Sequence, residues 1–164
     1  MNAIVCFNSN KGIGYGGKIP WKSKIDMKYF REKTTGKGNN AIVMGYKTFA
    51  SLGYTPLPNR RNYVLTRNPE FASVNHGSDV IFESSIENLV LLPTIFDEVY
   101  IIGGNETYRI FEPFYNKIFV TIIENKNKCD TFFTLGLEKY RKNLIYQTYD
   151  DKQKLSFFEY TPRS

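Results

Sequence analysis

The chain has 164 residues, 41% hydrophobic and 23% charged, with a formal net charge of +6 from 22 basic and 16 acidic side chains. That length accommodates one domain with a proper core, and no apolar run approaches the ~18 residues that a membrane span needs. Two cysteines make no disulfide framework, no C-x-x-C or H-x-x-x-H spacing offers a metal site, and the positive balance suits an anionic partner: a phosphorylated cofactor, a polycarboxylate or nucleic acid.

The opening "MNAIVCFNSN" has no basic segment before its short apolar run, so it reads as a first strand rather than a signal peptide. Short β-branched runs bounded by Gly, Asn, Asp or Pro then recur as "NAIVMG", "RNYVLT", "DVIFE", "EVYIIGG", "KIFVTIIE", "LIYQTY" and "LSFFEY". Between the earlier ones, helical spacing appears in "KIDMKYFREKT", "YKTFASLG", "SSIENLVLL" and "GNETYRIFEPF". His76, in "SVNHGSD", reads as an exposed loop residue. This alternation predicts an α/β fold over residues 1–164 as a single domain: a central mixed, mostly parallel sheet of about eight strands flanked by about four helices, with an antiparallel C-terminal edge.

The first glycine cluster, "KGIGYGGKIPW", fits G-x-G-x-x-G through Gly12, Gly14 and Gly17. A dinucleotide fingerprint needs a helix opening at the third glycine, so that its amides meet the pyrophosphate. Here Pro20 turns Ile19 away from helical dihedrals, and helical spacing starts only near Ile25. The cluster is therefore expected to form a bending lid that ends in the rigid Pro20–Trp21 pair.

Asp26 falls in the first turn of the next helix, on a face shared with Phe30, and Ser23 is the better N-cap. Two readings stand side by side. Asp26 is a first-turn acid favoured by the helix dipole, or it is a carboxylate among apolar neighbours that holds a ligand. Further along, three strand ends suit a phosphorylated ligand, with an ordinary strand-to-helix turn as the other reading of the glycine pair among them. Gly103–Gly104 follow an apolar strand and open a helix. Gly45 leads into Thr48, for which capping is the safer reading. Thr66–Arg67 end a third strand.

Together the ordered series "GIGYGGKIPW", Asp26 with Phe30, "VMGYKTFASL", "PLPNRRNYVLTR", "VYIIGGNETY" and "CDTFF" resembles dihydrofolate reductase over nearly the whole chain. The resemblance implies NADPH-dependent reduction of 7,8-dihydrofolate to tetrahydrofolate, supplying one-carbon metabolism. It implies a cytoplasmic monomer whose partners are small molecules, including polyglutamylated substrate, with no nucleic acid or membrane. Asp26 would bind the pterin, with Trp21 ordering water and Thr121 supporting the carboxylate; Tyr108 would complete the catalytic group. Ile4, Val5, Cys6, Met27, Phe30, Leu52, Leu57 and Ile102 would line the substrate pocket, and Arg60 would meet the glutamate α-carboxylate.

On the cofactor side the resemblance places Cys6, Ile13, Gly14, Lys18 and Ile19 near the lid. It adds Gly45, Tyr46, Lys47 and Thr48, then Leu65, Thr66 and Arg67, with Arg67 on the ribose 2′-phosphate. Ile102, Gly103, Gly104, Asn105, Glu106, Thr107 and Tyr108 complete this set, the glycine pair through a cis peptide. Tyr46 and Cys6 depart from commoner versions of the pattern, which carry a basic residue and alanine there. The reductase domain of riboflavin synthesis is a rival that would not explain Pro20–Trp21 before Asp26, or Arg60 after "PLPN". A basic, aromatic-rich nucleic-acid module is a second, disfavoured because most aromatics fall inside apolar strands.

Overall fold

A computed structural model describes residues 1–77 and 79–163. Its strands are β1 (Asn2–Asn8), β2 (Gly12–Gly14), β3 (Ala41–Gly45), β4 (Arg61–Leu65), β5 (Val80–Glu83), β6 (Val99–Ile101), β7 (Lys117–Ile123), β8 (Thr131–Phe132), β9 (Tyr140–Asp150) and β10 (Gln153–Pro162). Its helices are α1 (Lys24–Thr35), α2 (Tyr46–Ser51), α3 (Pro69–His76), α4 (Ile86–Val90) and α5 (Asn105–Ile110). Eight strands form one sheet in the order β5-β4-β3-β6-β1-β7-β10-β9, parallel through β7 and antiparallel at β10 and β9. This is the expected α/β architecture with its antiparallel edge.

Strand alternation sends successive side chains into two core layers. Ile4, Ile42, Met44 and Val64 fill one, against which Tyr29 and Phe30 of α1 pack. Ala3, Val5, Val43 and Ile101 fill the other, with Leu89, Tyr108 and Phe111. Both faces are covered, which is why the parallel strands read as near-continuous apolar runs.

Three features differ from the sequence expectation. A fifth helix, α3, occupies "PEFASVNH"; only Ala72 in it is buried, so it carries no apolar stripe to reveal it. His76 is its last residue rather than a loop position, half-buried, with its Nε2 2.9 Å from the Tyr46 hydroxyl and its ring stacked on Tyr54. Finally, β2 pairs with β8 as a separate two-stranded sheet, which ties the first glycine cluster to the segment before Phe133.

Candidate active site

The carboxyl ends of β1, β3, β4 and β6 open on one side of the sheet, where ligand crevices form in open α/β folds. The glycine cluster crosses this side as a hairpin. Tyr15 N–H donates to the Lys18 carbonyl at 2.7 Å and Lys18 N–H returns to Tyr15 at 3.1 Å, with Gly16 and Gly17 at φ 60° and 79° between them. Two successive positive φ values make a twist-matched two-residue turn, which glycine adopts without steric penalty. The turn is therefore built on Gly16–Gly17, and Gly12 serves a different end: a Cβ on it would stand 2.3 Å from the Cys129 sulfur.

After the hairpin, Trp21 is buried with Ile123, Leu155 and Phe157, and Cys6, Ile25 and Tyr29 pack against this group. Ser23 caps α1 as expected, accepting the Asp26 N–H at 3.1 Å. The cap seats Asp26 beside β1 and β7, where Cys6 and Thr121 are register partners. Burial pushes the Asp26 carboxyl above its ordinary value, while the hydrogen-bonding Thr121 hydroxyl and Cys6 thiol act in the opposite direction. Burial also pushes the Cys6 thiol well up, with the Asp26 charge adding to it, so the thiol keeps its proton.

Around Asp26, Ile4 lies in the α1-side core layer, and Phe30, Leu52, Leu57 and Ile102 are half-buried against it as an apolar wall. Met27 is 65% exposed on the outer turn of α1. Val5 departs from the expectation: its side chain enters the opposite layer with Ala3 and Phe7, so alternation removes it from the wall that Ile4 and Cys6 share.

Arg60 is held at the far end of this wall. Buried Asn62 accepts the Leu57 N–H at 2.9 Å and donates to the Leu57 and Arg60 carbonyls, fixing the "PLPNR" turn. Arg60 donates to Thr34 Oγ1 of α1 at 3.0 Å and to the Pro58 carbonyl at 2.9 Å. Partial burial and then the charge of Arg31 lower its pKa, so two cations stand close together at this end. None of the salt bridges among the described residues involves either arginine.

The opposite flank joins two glycine turns. Gly45 N–H donates to the Gly103 carbonyl at 2.8 Å, and a Cβ on Gly45 would stand 2.9 Å from Thr107 Oγ1. The Gly103–Gly104 peptide is cis, and Gly103 has φ 128°. Thr48 does not cap α2: Gly45 is the N-cap with no side-chain bond, and a Cβ on Gly103 would meet the Thr48 hydroxyl at 3.5 Å. Tyr108, at the same glycine, donates its buried hydroxyl to the Ile4 carbonyl at 2.8 Å. Burial raises the Tyr108 phenol beyond any physiological titration, so it is a fixed donor rather than an acid.

A cavity of about 580 Å³ separates the hairpin from α2, lined by Gly16, Gly17, Lys18, Lys47, Ala50, Ser51 and Gly53. Two lysines from unrelated elements thus face one space. Thr66 folds back on the Asn68 N–H at 3.3 Å, with Leu65 half-buried beneath and Arg67 exposed beside it. Ile13 packs on the second core layer, Gly14 is half-buried, and Ile19 is exposed. Asn105 is tied to Thr134 by two bonds of 2.8 and 2.9 Å, while Glu106 faces solvent.

Comparison with known proteins identifies the family. The dihydrofolate reductase family model matches residues 1–161. The chain belongs to the dihydrofolate reductase family. A dihydrofolate reductase from Haemophilus influenzae is 35% identical over 158 residues, covering 92% of this chain and 93% of its own. One from Staphylococcus aureus is 39% identical over 136 residues, covering 81% and 77%. Among solved structures, the Enterococcus faecalis dihydrofolate reductase complexed with NADP(H) and RAB-propyl superposes with a TM-score of 0.86 at 28% identity, over 99% and 96% of the two chains. The chain is accordingly an oxidoreductase that reduces dihydrofolate with NADPH.

Sequence reasoning missed several supporting residues of this dihydrofolate reductase crevice. Asp130 holds Gly16 of the hairpin and Asp150 holds Ser23, Asn62 sets Arg60, and Arg31 adds the second cation. Asp130 and Asn62 had a local signal, as parts of "CDTFF" and "PLPNRRNYVLTR"; Asp150 and Arg31 act through contacts far apart in sequence. No group of three metal-ligating side chains occurs among the described residues, and no described helix is long and apolar enough to cross a membrane.

Proposed function

We propose that Asp26 binds and orients the pterin, that Arg60 and Arg31 receive the glutamyl tail, and that the cavity between the hairpin and α2 receives NADPH. The burial of Asp26 beside Cys6 and Thr121, at the head of an apolar wall that ends in two arginines, carries this reading. A carboxylate offers two acceptor oxygens to an amino group and an adjacent ring N–H, which fixes one edge of a pterin. The apolar wall takes the ring and the benzoyl group, and the arginine pair suits an anionic tail, polyglutamylated tails included.

The residues on the opposite flank fit a dinucleotide phosphate. Gly45 and Gly103 leave room where a side chain would stand, and Lys18, Lys47 and Arg67 supply positive charge. When bound there, NADPH supplies the hydride. Asp26 does not reach the far edge of a ring it holds by the near edge, so water admitted beside Trp21 delivers the proton. Asp26 tunes the ring, while the hairpin and Trp21 exclude bulk solvent.

The chain acts as a monomer. Its outer strand β9 carries Arg141 and Lys142 and a register shift opposite Phe157 and Phe158, features that discourage edge-to-edge pairing. Both cysteines are free, which accords with a reducing cytoplasm. The deciding experiment follows NADPH absorbance with dihydrofolate on wild type and Asp26→Asn. Turnover by wild type and its collapse in the variant, least at low pH, is the expected result; undiminished turnover at neutral pH in Asp26→Asn removes Asp26 from the mechanism.

A further inference from the structure

One half-buried nucleophilic side chain in the crevice has no part in the chemistry above. Cys6 lies on β1 directly beside Thr121 of β7, in parallel register, so both side chains emerge on the same face at the same height. Thr121 is in turn register partner of Phe157 on β10, whose ring lies 4.6 Å from that of Tyr29, one turn after Asp26 on α1. Ile25 and Tyr29 pack into the group formed by Trp21 and Phe157, and so does Cys6. The Asp26 turn of α1 is thereby docked over the Cys6–Thr121 pair, with Trp21 at its margin.

A carboxylate withdrawn from water needs donors, and apart from Cys6 the groups whose shifts trace to the Asp26 charge are tyrosines. Tyr29 of α1, Tyr108 of α5 and Tyr146 of β9 all feel the Asp26 charge, and burial keeps each of them neutral where a carboxylate titrates. Tyr108 spends its proton on the Ile4 carbonyl, and the Tyr29 hydroxyl, buried, has no partner. Thr121 and Cys6 are left as the side-chain donors that act on Asp26. An S–H is a weak donor but a compact one, suited to a strand position beneath a helix.

We propose that Cys6 is a positioning residue for the reaction: its thiol proton, beside the Thr121 hydroxyl, steadies the ionised carboxylate of Asp26 in its substrate-facing orientation. The Trp21 indole acts on the same sulfur, which links the lid segment to the carboxylate through Cys6. The inference rests on the role proposed for Asp26. The alternative role for Cys6 is that of a small apolar filler.

The two are separated by carbon-13 NMR titration of the Asp26 carboxyl in the unliganded protein, its resonance assigned by its loss in Asp26→Asn. Cys6→Ala and Cys6→Val both remove the donor, the latter while keeping bulk, and Cys6→Ser restores one. The titration midpoint shifts to higher pH in Cys6→Ala and Cys6→Val and returns towards wild type in Cys6→Ser, and the pH profile of kcat/KM follows it. A midpoint that stays in place in all three, with only Tm altered, assigns Cys6 to packing and overturns the proposal. Because the titration needs no substrate, failure of the role assigned to Asp26 shows separately, in the turnover of Asp26→Asn.

Discussion

The carboxylate of Asp130 accepts the backbone N–H of Gly16 at 3.0 Å, across 114 residues of sequence. The Asp130 N–H also donates to the Gly14 carbonyl at 2.9 Å, so one residue clasps the hairpin at two points. Downstream, Asn127 donates to the Pro20 carbonyl at 3.1 Å, and Asp150 accepts the Ser23 hydroxyl at 2.7 Å. The segment leading to Asp26, expected from its sequence to act as a lid, is therefore fastened along its length, with a carboxylate at each end.

Those carboxylates make the fastening sensitive to acid. The Gly16 N–H and then Thr131 hold Asp130 below the ordinary value of 3.8; the Ser23 hydroxyl and then the Ile25 N–H do the same for Asp150. A depressed folded pKa stabilises above the unfolded value, and that contribution is lost as pH falls through the folded one. Protection of the Gly16 amide, measured against its intrinsic exchange, should fall as Asp130 protonates below its ordinary value in the wild type, and should already be reduced at neutral pH in Asp130→Ala. The variant should also turn over more slowly with little change in Tm. Unchanged exchange at Gly16 in Asp130→Ala would show that the clasp does not restrain the lid.

Gly12 is constrained by close approach rather than by backbone angle. A Cβ there would lie 2.3 Å from the Cys129 sulfur and 2.6 Å from its Cβ. Gly12→Ala should displace β2 from β8 and destabilise by about 1–3 kcal/mol, as overpacking does. Cys129→Gly added to Gly12→Ala removes both clashing atoms and should recover much of the loss in a denaturation cycle. Strictly additive effects of the two substitutions would exclude the contact as the cause.

How much of this could be read from the residues follows from whether the signal was local. The parallel strands were legible because burial on both faces leaves runs such as "AIVMG" wholly apolar. Ser23, Asp26 and Phe30 were legible because a cap and one helical face lie within eight positions. α3 was not, since Phe71 and Val74 point outward and only Ala72 is buried. Gly16–Gly17 were overshadowed by a pattern that matched Gly12, Gly14 and Gly17, because a regular expression is blind to the sign of φ. The family resemblance implied Val5 in the pocket, although alternation sends it to the other side. Thr121 beside Asp26 came with the resemblance, whereas the pairing of Cys6 with Thr121 and the Asp130 clasp join distant segments, which no local stretch encodes.

Asp26 should trade stability for function. Burial raises its folded pKa, so its favourable contribution is present below the unfolded value and is lost as pH rises through the folded one. At neutral pH the folded protein carries a charge it would hold more easily unfolded. Asp26→Asn should therefore raise Tm at neutral pH, with the gain shrinking towards pH 3, while kcat/KM falls by about a hundredfold or more. A variant both less stable and less active at neutral pH would point to lost packing rather than to a removed charge.

Arg60 offers the cleanest separation of substrate from cofactor. Its Nη1–H to Thr34 and Nε–H to Pro58 set the plane of the guanidinium, and Thr34 keeps a second bond to the Phe30 carbonyl at 2.8 Å. Arg60→Ala thus leaves no buried partner stranded and should cost little stability. It should raise KM for dihydrofolate by about ten- to a hundredfold, the scale of hydrogen bonds to a charged group, with KM for NADPH unchanged. Arg60→Lys keeps the charge without the planar fork and should recover only part of the affinity. Arg31→Ala is the counterpart: it removes the like charge that lowers the Arg60 pKa, so it should spare monoglutamyl substrate and weaken polyglutamylated substrate. Steady-state KM values for substrates of increasing tail length test this. Equal losses at every tail length in Arg31→Ala would place Arg31 at the first carboxylate instead.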